Sequence, residues 1–98
     1  MEVEFADESL DRLEIDVQFT AGFDRATVKG FRKVMQVIRA APDEREFYAL
    51  KSLHFEKLEG ARAHERSMRI TKKWRLILEL RGEAPNKIVK VKGIEDYH

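Results

Sequence analysis

Val3 and Phe5 alternate with Glu2 and Glu4, and this period of two predicts a short strand with one wet face. Spacings of three and four follow. Leu10, Leu13 and Val17 predict a first helix capped by Asp7, whose early acids suit a helix N-terminus. After the Ala21-Gly22 break, Asp24 offers a second cap, and Val28, Phe31, Val34, Met35 and Ile38 predict a helix running to Ala41 and ended by Pro42. From Asp43 to Ser52 no period holds, and Phe47, Tyr48 and Leu50 suggest a helical turn or an irregular segment pinned to the core. Thereafter period two returns, predicting strands over roughly 54–58, 65–70, 73–81 and 87–97 in an antiparallel meander. Thr71-Lys72 reads as a tight turn and residues 81–86 as a polar hairpin loop. Helices precede strands, which predicts an α+β domain: a short N-terminal strand and two helices packed on one face of a small, mainly antiparallel sheet.

Alternation sorts the strand residues into two faces. Met68, Ile70, Trp74, Leu76, Leu78, Leu80, Val89 and Val91 form the face to be buried under the helices. Ser67, Arg69, Lys73, Arg75, Ile77, Lys90, Lys92, Ile94, Asp96 and His98 form the other, which two helices on one side leave open to a partner. Tyr97 falls on the core face by strict alternation, unless Gly93 introduces a bulge.

Composition narrows the class. With 98 residues, 43% of them hydrophobic, the chain suffices for one domain spanning 1–98. No apolar run approaches the roughly 20 residues of a membrane span, and the acidic start is unlike a signal peptide, so a cytoplasmic protein without membrane partners is expected. The absence of cysteine excludes disulfides, thiolate metal sites and thiol nucleophiles. His54, His64 and His98 show no metal-ligand spacing, and no phosphate-cradling glycine loop is present, so neither metal nor cofactor is expected.

The formal net charge of +1 conceals a polarised chain. Residues 1–24 carry eight acids against Arg12 alone, whereas residues 51–75 carry eight bases against three acids. A basic, open sheet face suits RNA or another polyanion. RNA is cut without metal when a base takes the 2′-hydroxyl proton, a cation stabilises the crowded phosphate and an acid protonates the leaving oxygen. Arg69 and Arg75 supply cations on that face; Asp96 and His98 supply proton-transfer groups at its edge.

The segments Leu58-Glu59-Gly60-Ala61-Arg62, Ser67-Met68-Arg69-Ile70 and Trp74-Arg75-Leu76, closed by Glu95-Asp96-Tyr97-His98, together resemble the HigB branch of the RelE/ParE toxins over essentially the whole chain. The resemblance implies a RelE-like fold and a type II toxin–antitoxin toxin that enters the ribosomal A site and cuts messenger RNA without metal. It implies Arg75 on the scissile phosphate, with Asp96, Tyr97 and His98 as the remaining catalytic group. The expected RNA contacts are Arg69, Lys73, Lys57, Arg62, Lys90 and Lys92. The implied partners are the ribosome, its mRNA and a cognate HigA-like helix-turn-helix antitoxin, with operator DNA bound only through the antitoxin complex. This chain departs from the family pattern in Glu59, in Gly60-Ala61-Arg62 for Gly-Asp-Arg, and in the basic turn Thr71-Lys72-Lys73. A ParE-like inhibitor of gyrase, and a weak toxin acting mainly through antitoxin binding and operator regulation, are the alternatives.

Overall fold

The structure, a computed structural model, describes residues 1–83 and 86–96. Strand β1 (Glu2–Phe5) leads into helix α1 (Glu8–Ile15), whose N-cap Asp7 accepts from the Ser9 N–H at 2.9 Å. Leu10 and Leu13 of α1 are buried, as the spacing predicts. Val17 is not: the Asp16 carboxylate accepts from the Gln18 N–H at 3.0 Å and turns the chain out of the helix, leaving Val17 80% exposed.

Helix α2 (Arg25–Ala40) starts at Asp24, which accepts from the Thr27 N–H at 2.8 Å. It ends at Ala41, where the residue before Pro42 is extended. Val28, Phe31, Val34, Met35 and Ile38 are its buried stripe. Midway along it, Gly30 permits close approach to the sheet, because a Cβ there would lie 2.9 Å from both Cγ2 and the carbonyl oxygen of Ile70. Where the pattern leaves an irregular segment, a short helix α3 (Arg45–Ala49) and a 3₁₀ turn (Lys51–Leu53) are found. Their anchors are Phe47 and Leu53, too few in number to establish a period.

The sheet runs β1-β5-β4-β3-β2, with β2 (Glu56–Lys57), β3 (Arg66–Arg69), β4 (Trp74–Arg81) and β5 (Ile88–Asp96) antiparallel and β1 parallel to β5. A second 3₁₀ turn, Gly60–Arg62, separates β2 from β3. The β3–β4 hairpin is tied by the Thr71 hydroxyl, which accepts from the N–H groups of Lys73 and Trp74 at 3.2 and 3.1 Å. The 81–86 loop is described in part, Ala84 and Pro85 lying outside the described residues. Met68, Leu76, Leu78, Val89 and Val91 pack under the helices in one hydrophobic core. No helix among the described residues is long and apolar enough to cross a membrane.

One irregularity decides the placement of the site. Between β4 and β5, Ile77 pairs with Gly93 but Leu78 pairs with Val91, so Lys92 is the extra residue of a bulge. A one-residue shift exchanges the two faces of the strand beyond it. Ile94, expected outside, therefore lies opposite Leu76 and packs on the core. Glu95 comes opposite Arg75, and Asp96 comes opposite Trp74 on the helix side, correcting the expectation that Asp96 shares a face with Arg75.

Candidate functional site

On the face away from the helices, Arg69 of β3 and Arg75 of β4 are direct cross-strand partners. Two like charges in such a pair repel, and an anion between them removes the repulsion. His54 stands beside Arg69, with Nε2 3.4 Å from Nη1 of that arginine. It reaches this place from the left-handed region (φ 47°, ψ 51°), an unusual conformation for a side-chain-bearing residue, at the end of the Lys51–Leu53 turn. A neutral imidazole accepts from Arg69 at Nε2, which requires the proton on Nδ1.

Glu95 completes the group. Both of its oxygens are held by Arg62, Nη1 at 2.9 Å and Nη2 at 2.6 Å, while Nε of Arg62 donates to Glu65 at 2.5 Å. The hydrogen bonds from Arg62 are the main cause that holds the Glu95 carboxyl below its ordinary range; burial opposes them, and the charges of Arg62 and then Arg75 add to the lowering. The same two carboxylates raise the affinity of Arg62 for its proton. Glu95 is thus an ionised acceptor at neutral pH, with both oxygens engaged.

The segment from Gly60 to Glu65 crosses the middle of this face. Arg62 reaches Glu95, His64 lies close enough to contribute to lowering the Glu79 carboxyl, and Ser67 and Ile77 below are 3% and 0% exposed. The face expected to be open is therefore roofed at its centre and only half-buried at the end that holds Arg69, Arg75 and Glu95, where Nε of Arg75 is itself buried.

The other expected contacts are dispersed. Lys73 folds back over the Trp74 ring, its Nζ 5.1 Å from the centroid, and its charge contributes to lowering the Asp24 carboxyl, which places it toward the helix layer. Lys57 sits on the edge strand opposite Arg66, out of line with Arg75. Lys90 is opposite Glu79, and Lys92 pairs with that carboxylate at 3.1 Å. Glu79 is four residues from Arg75 along β4, roughly 13 Å at strand rise. Tyr97 and His98 lie outside the described residues.

Sequence reasoning thus put Arg69 and Arg75 on one face; it noted His54, with Lys57, only as lying near a histidine and a lysine position of the HigB pattern, and it gave Glu95 no role. The signal for Glu95 was Gly93, the residue next to the bulge at Lys92 that reverses the alternation. His54, expected to open the strand over 54–58, instead ends the Lys51–Leu53 turn ahead of β2 (Glu56–Lys57), so alternation gave no signal for where its side chain lies.

Arg32, on the side of α2 that the pattern leaves to solvent or phosphate, is committed elsewhere. Its guanidinium donates to the carbonyls of Leu13 at 3.0 Å, Asp16 at 2.7 Å and Phe19 at 3.3 Å, closing the C-terminal end of α1. The groove of about 760 Å³ along this side, lined by Val17, Arg25, Lys29 and Lys33 among others, is separate from the arginine pair.

No protein-family model matches the sequence, and no curated protein does. Solved structures do match in shape. A YoeB/ParE toxin from Agrobacterium tumefaciens superposes with a TM-score of 0.63 at 19% identity, covering 100% of both chains. A conserved hypothetical protein from Helicobacter pylori, solved in solution, gives 0.54 at 13% identity over 99% of this chain and 94% of that one. At these identities the likeness is one of architecture: the chain has the α+β fold of a YoeB/ParE toxin.

Proposed function

We propose that this protein is a toxin of a type II toxin–antitoxin system that cuts messenger RNA in the ribosomal A site, in the cytoplasm, and is silenced by a cognate antitoxin. The observation that carries the reading is the facing pair Arg69 and Arg75 with His54 beside it, on a fold shared with a YoeB/ParE toxin. A phosphodiester between the two guanidinium groups gains charge-assisted hydrogen bonds that strengthen as negative charge builds on the equatorial oxygens. The 2′-oxygen gives up its proton and attacks phosphorus, the bond to the 5′-oxygen breaks, and that oxygen leaves with a proton. Arg75 stabilises the phosphate; His54 is the described imidazole placed to transfer a proton. Tyr97 and His98 keep the catalytic roles that the HigB resemblance implies, Asp96 on the helix side does not, and a HigA-like helix-turn-helix antitoxin remains the proposed partner.

Primer extension on a reporter messenger, with and without translating ribosomes, tests the reading. Cuts that need ribosomes and fall by about a hundredfold or more in Arg75→Ala are expected, the loss typical of a transition-state donor. Full cleavage by that variant refutes the role of Arg75. No cleavage together with blocked supercoiling by gyrase would assign the ParE-like activity instead. Neither effect would leave antitoxin binding and operator regulation.

A further inference from the structure

Arg62 divides its donors between two carboxylates of different accessibility. Nε is tied to Glu65, whose side chain is 10% exposed, whereas Nη1 and Nη2 hold Glu95, whose side chain is 40% exposed. A carboxylate that takes both terminal nitrogens of a guanidinium presents the same two-oxygen edge as a phosphate. This one stands directly across from Arg75. Two residues earlier on the same face, Gly93 leaves open space, with nothing within 4 Å of where a Cβ would be.

We infer that Arg62 is a masked phosphate ligand: Glu95 occupies the place of a substrate phosphate, and an RNA phosphate binds by displacing Glu95 from Nη1 and Nη2 of Arg62. The inference rests on the proposal that this face receives RNA and adds a third guanidinium to Arg69 and Arg75. Glu65 keeps Arg62 anchored through Nε during the exchange, so the donors that face outward change partner without the Gly60–Arg62 turn leaving the sheet. Displaced Glu95 is exposed enough to be solvated. Its charge is the cost that an incoming anion overcomes, and it sets a threshold against weakly bound anions.

The two halves of the ion pair therefore act on binding with opposite signs. The probe is a single-stranded RNA oligonucleotide with 2′-O-methyl sugars, which binds but cannot be cut, titrated by fluorescence anisotropy against folded full-length variants. Glu95→Gln is expected to tighten binding about fivefold, the worth of one near-surface charge interaction. Arg62→Gln is expected to weaken it by a similar factor and to make the salt dependence shallower by about 0.7 in log–log slope, one phosphate contact on a single strand. Glu95→Asp, a shorter carboxylate, should fall between wild type and Glu95→Gln, and it stands in if the glutamine variant does not fold. Unchanged or weaker binding by the Glu95 variants, or parallel losses in both halves of the pair, would make the pair a structural brace and overturn the inference. So would an unaltered salt slope in Arg62→Gln, or no binding by any variant. Binding that follows these signs without cleavage of unmodified RNA would sustain the masked ligand and refute the nuclease reading alone.

Discussion

Arg32 offers a sharp test of how this fold is held together, because its charge does not face solvent as its place on α2 suggests. Replacing it by alanine deletes the donors that meet the carbonyls of Leu13, Asp16 and Phe19 at the end of α1. A hydrogen bond to a charged group is worth about 1.5–3 kcal/mol, and a cation at a helix C-terminus adds about 0.3–1 kcal/mol. The contact at 3.3 Å is long and contributes least, and the side chain is half-buried, so about 2–3 kcal/mol is expected in total. For a domain of this size that lowers the melting temperature by roughly 10–20 °C. Urea unfolding followed by circular dichroism should show a lower midpoint with an unchanged slope. Arg32→Lys should recover less than half, since an ammonium has no fork to span separate carbonyls. Lys29→Ala, an exposed neighbour on the same helix, should stay within about 0.5 kcal/mol of wild type. If Arg32→Ala matched Lys29→Ala, the closure of α1 by Arg32 would be refuted.

Gly30→Ala gains about 1 kcal/mol of helix propensity but drives a methyl against Ile70, an overpacking worth about 1–3 kcal/mol; a net loss in urea midpoint is expected, and a gain would contradict the close approach. Gly93→Ala meets open space and should change stability by less than about 0.5 kcal/mol, read from thermal melts. The Asp24 carboxyl lies below its ordinary value of 3.8, chiefly because the Thr27 side chain and then its N–H donate to it. Its stabilisation is therefore complete above pH 3.8 and is lost as the pH falls through the lowered folded value, so Asp24→Asn should flatten the acid limb of stability, and an unaltered limb would refute the cap's role.

Much of the architecture was legible in the chain. Asp7 and Asp24 announce the helix starts, and the buried residues from Val28 to Ile38 recur at helical spacing. Alternation along β3 and the first part of β4 put Arg69 and Arg75 together outside the core. The pattern leaves helix α3 open between a helical turn and an irregular segment because so few anchors make no period, and the fate of Lys73 escaped because a residue in a turn is free to fold to either side, here over Trp74.

Periodicity is a local property, and so the chain alone marks β1, the starts of α1 and α2, the buried stripe of α2 and the facing arginines. Register is not local. The bulge at Lys92 arises from how β5 seats against β4 and β1, and it alone moved Asp96 to the helix side and brought Glu95 to Arg75. Likewise, charge type is written in the chain, but a charge's partner is chosen by tertiary proximity: Arg62 meets Glu95 across 33 positions, and Arg32 meets the end of α1 across 19 at Leu13. Those long-range contacts turned the expected open, basic sheet into an arginine pair beside the Arg62–Glu95 ion pair, because only the folded chain sets which opposite charges lie within hydrogen-bond reach.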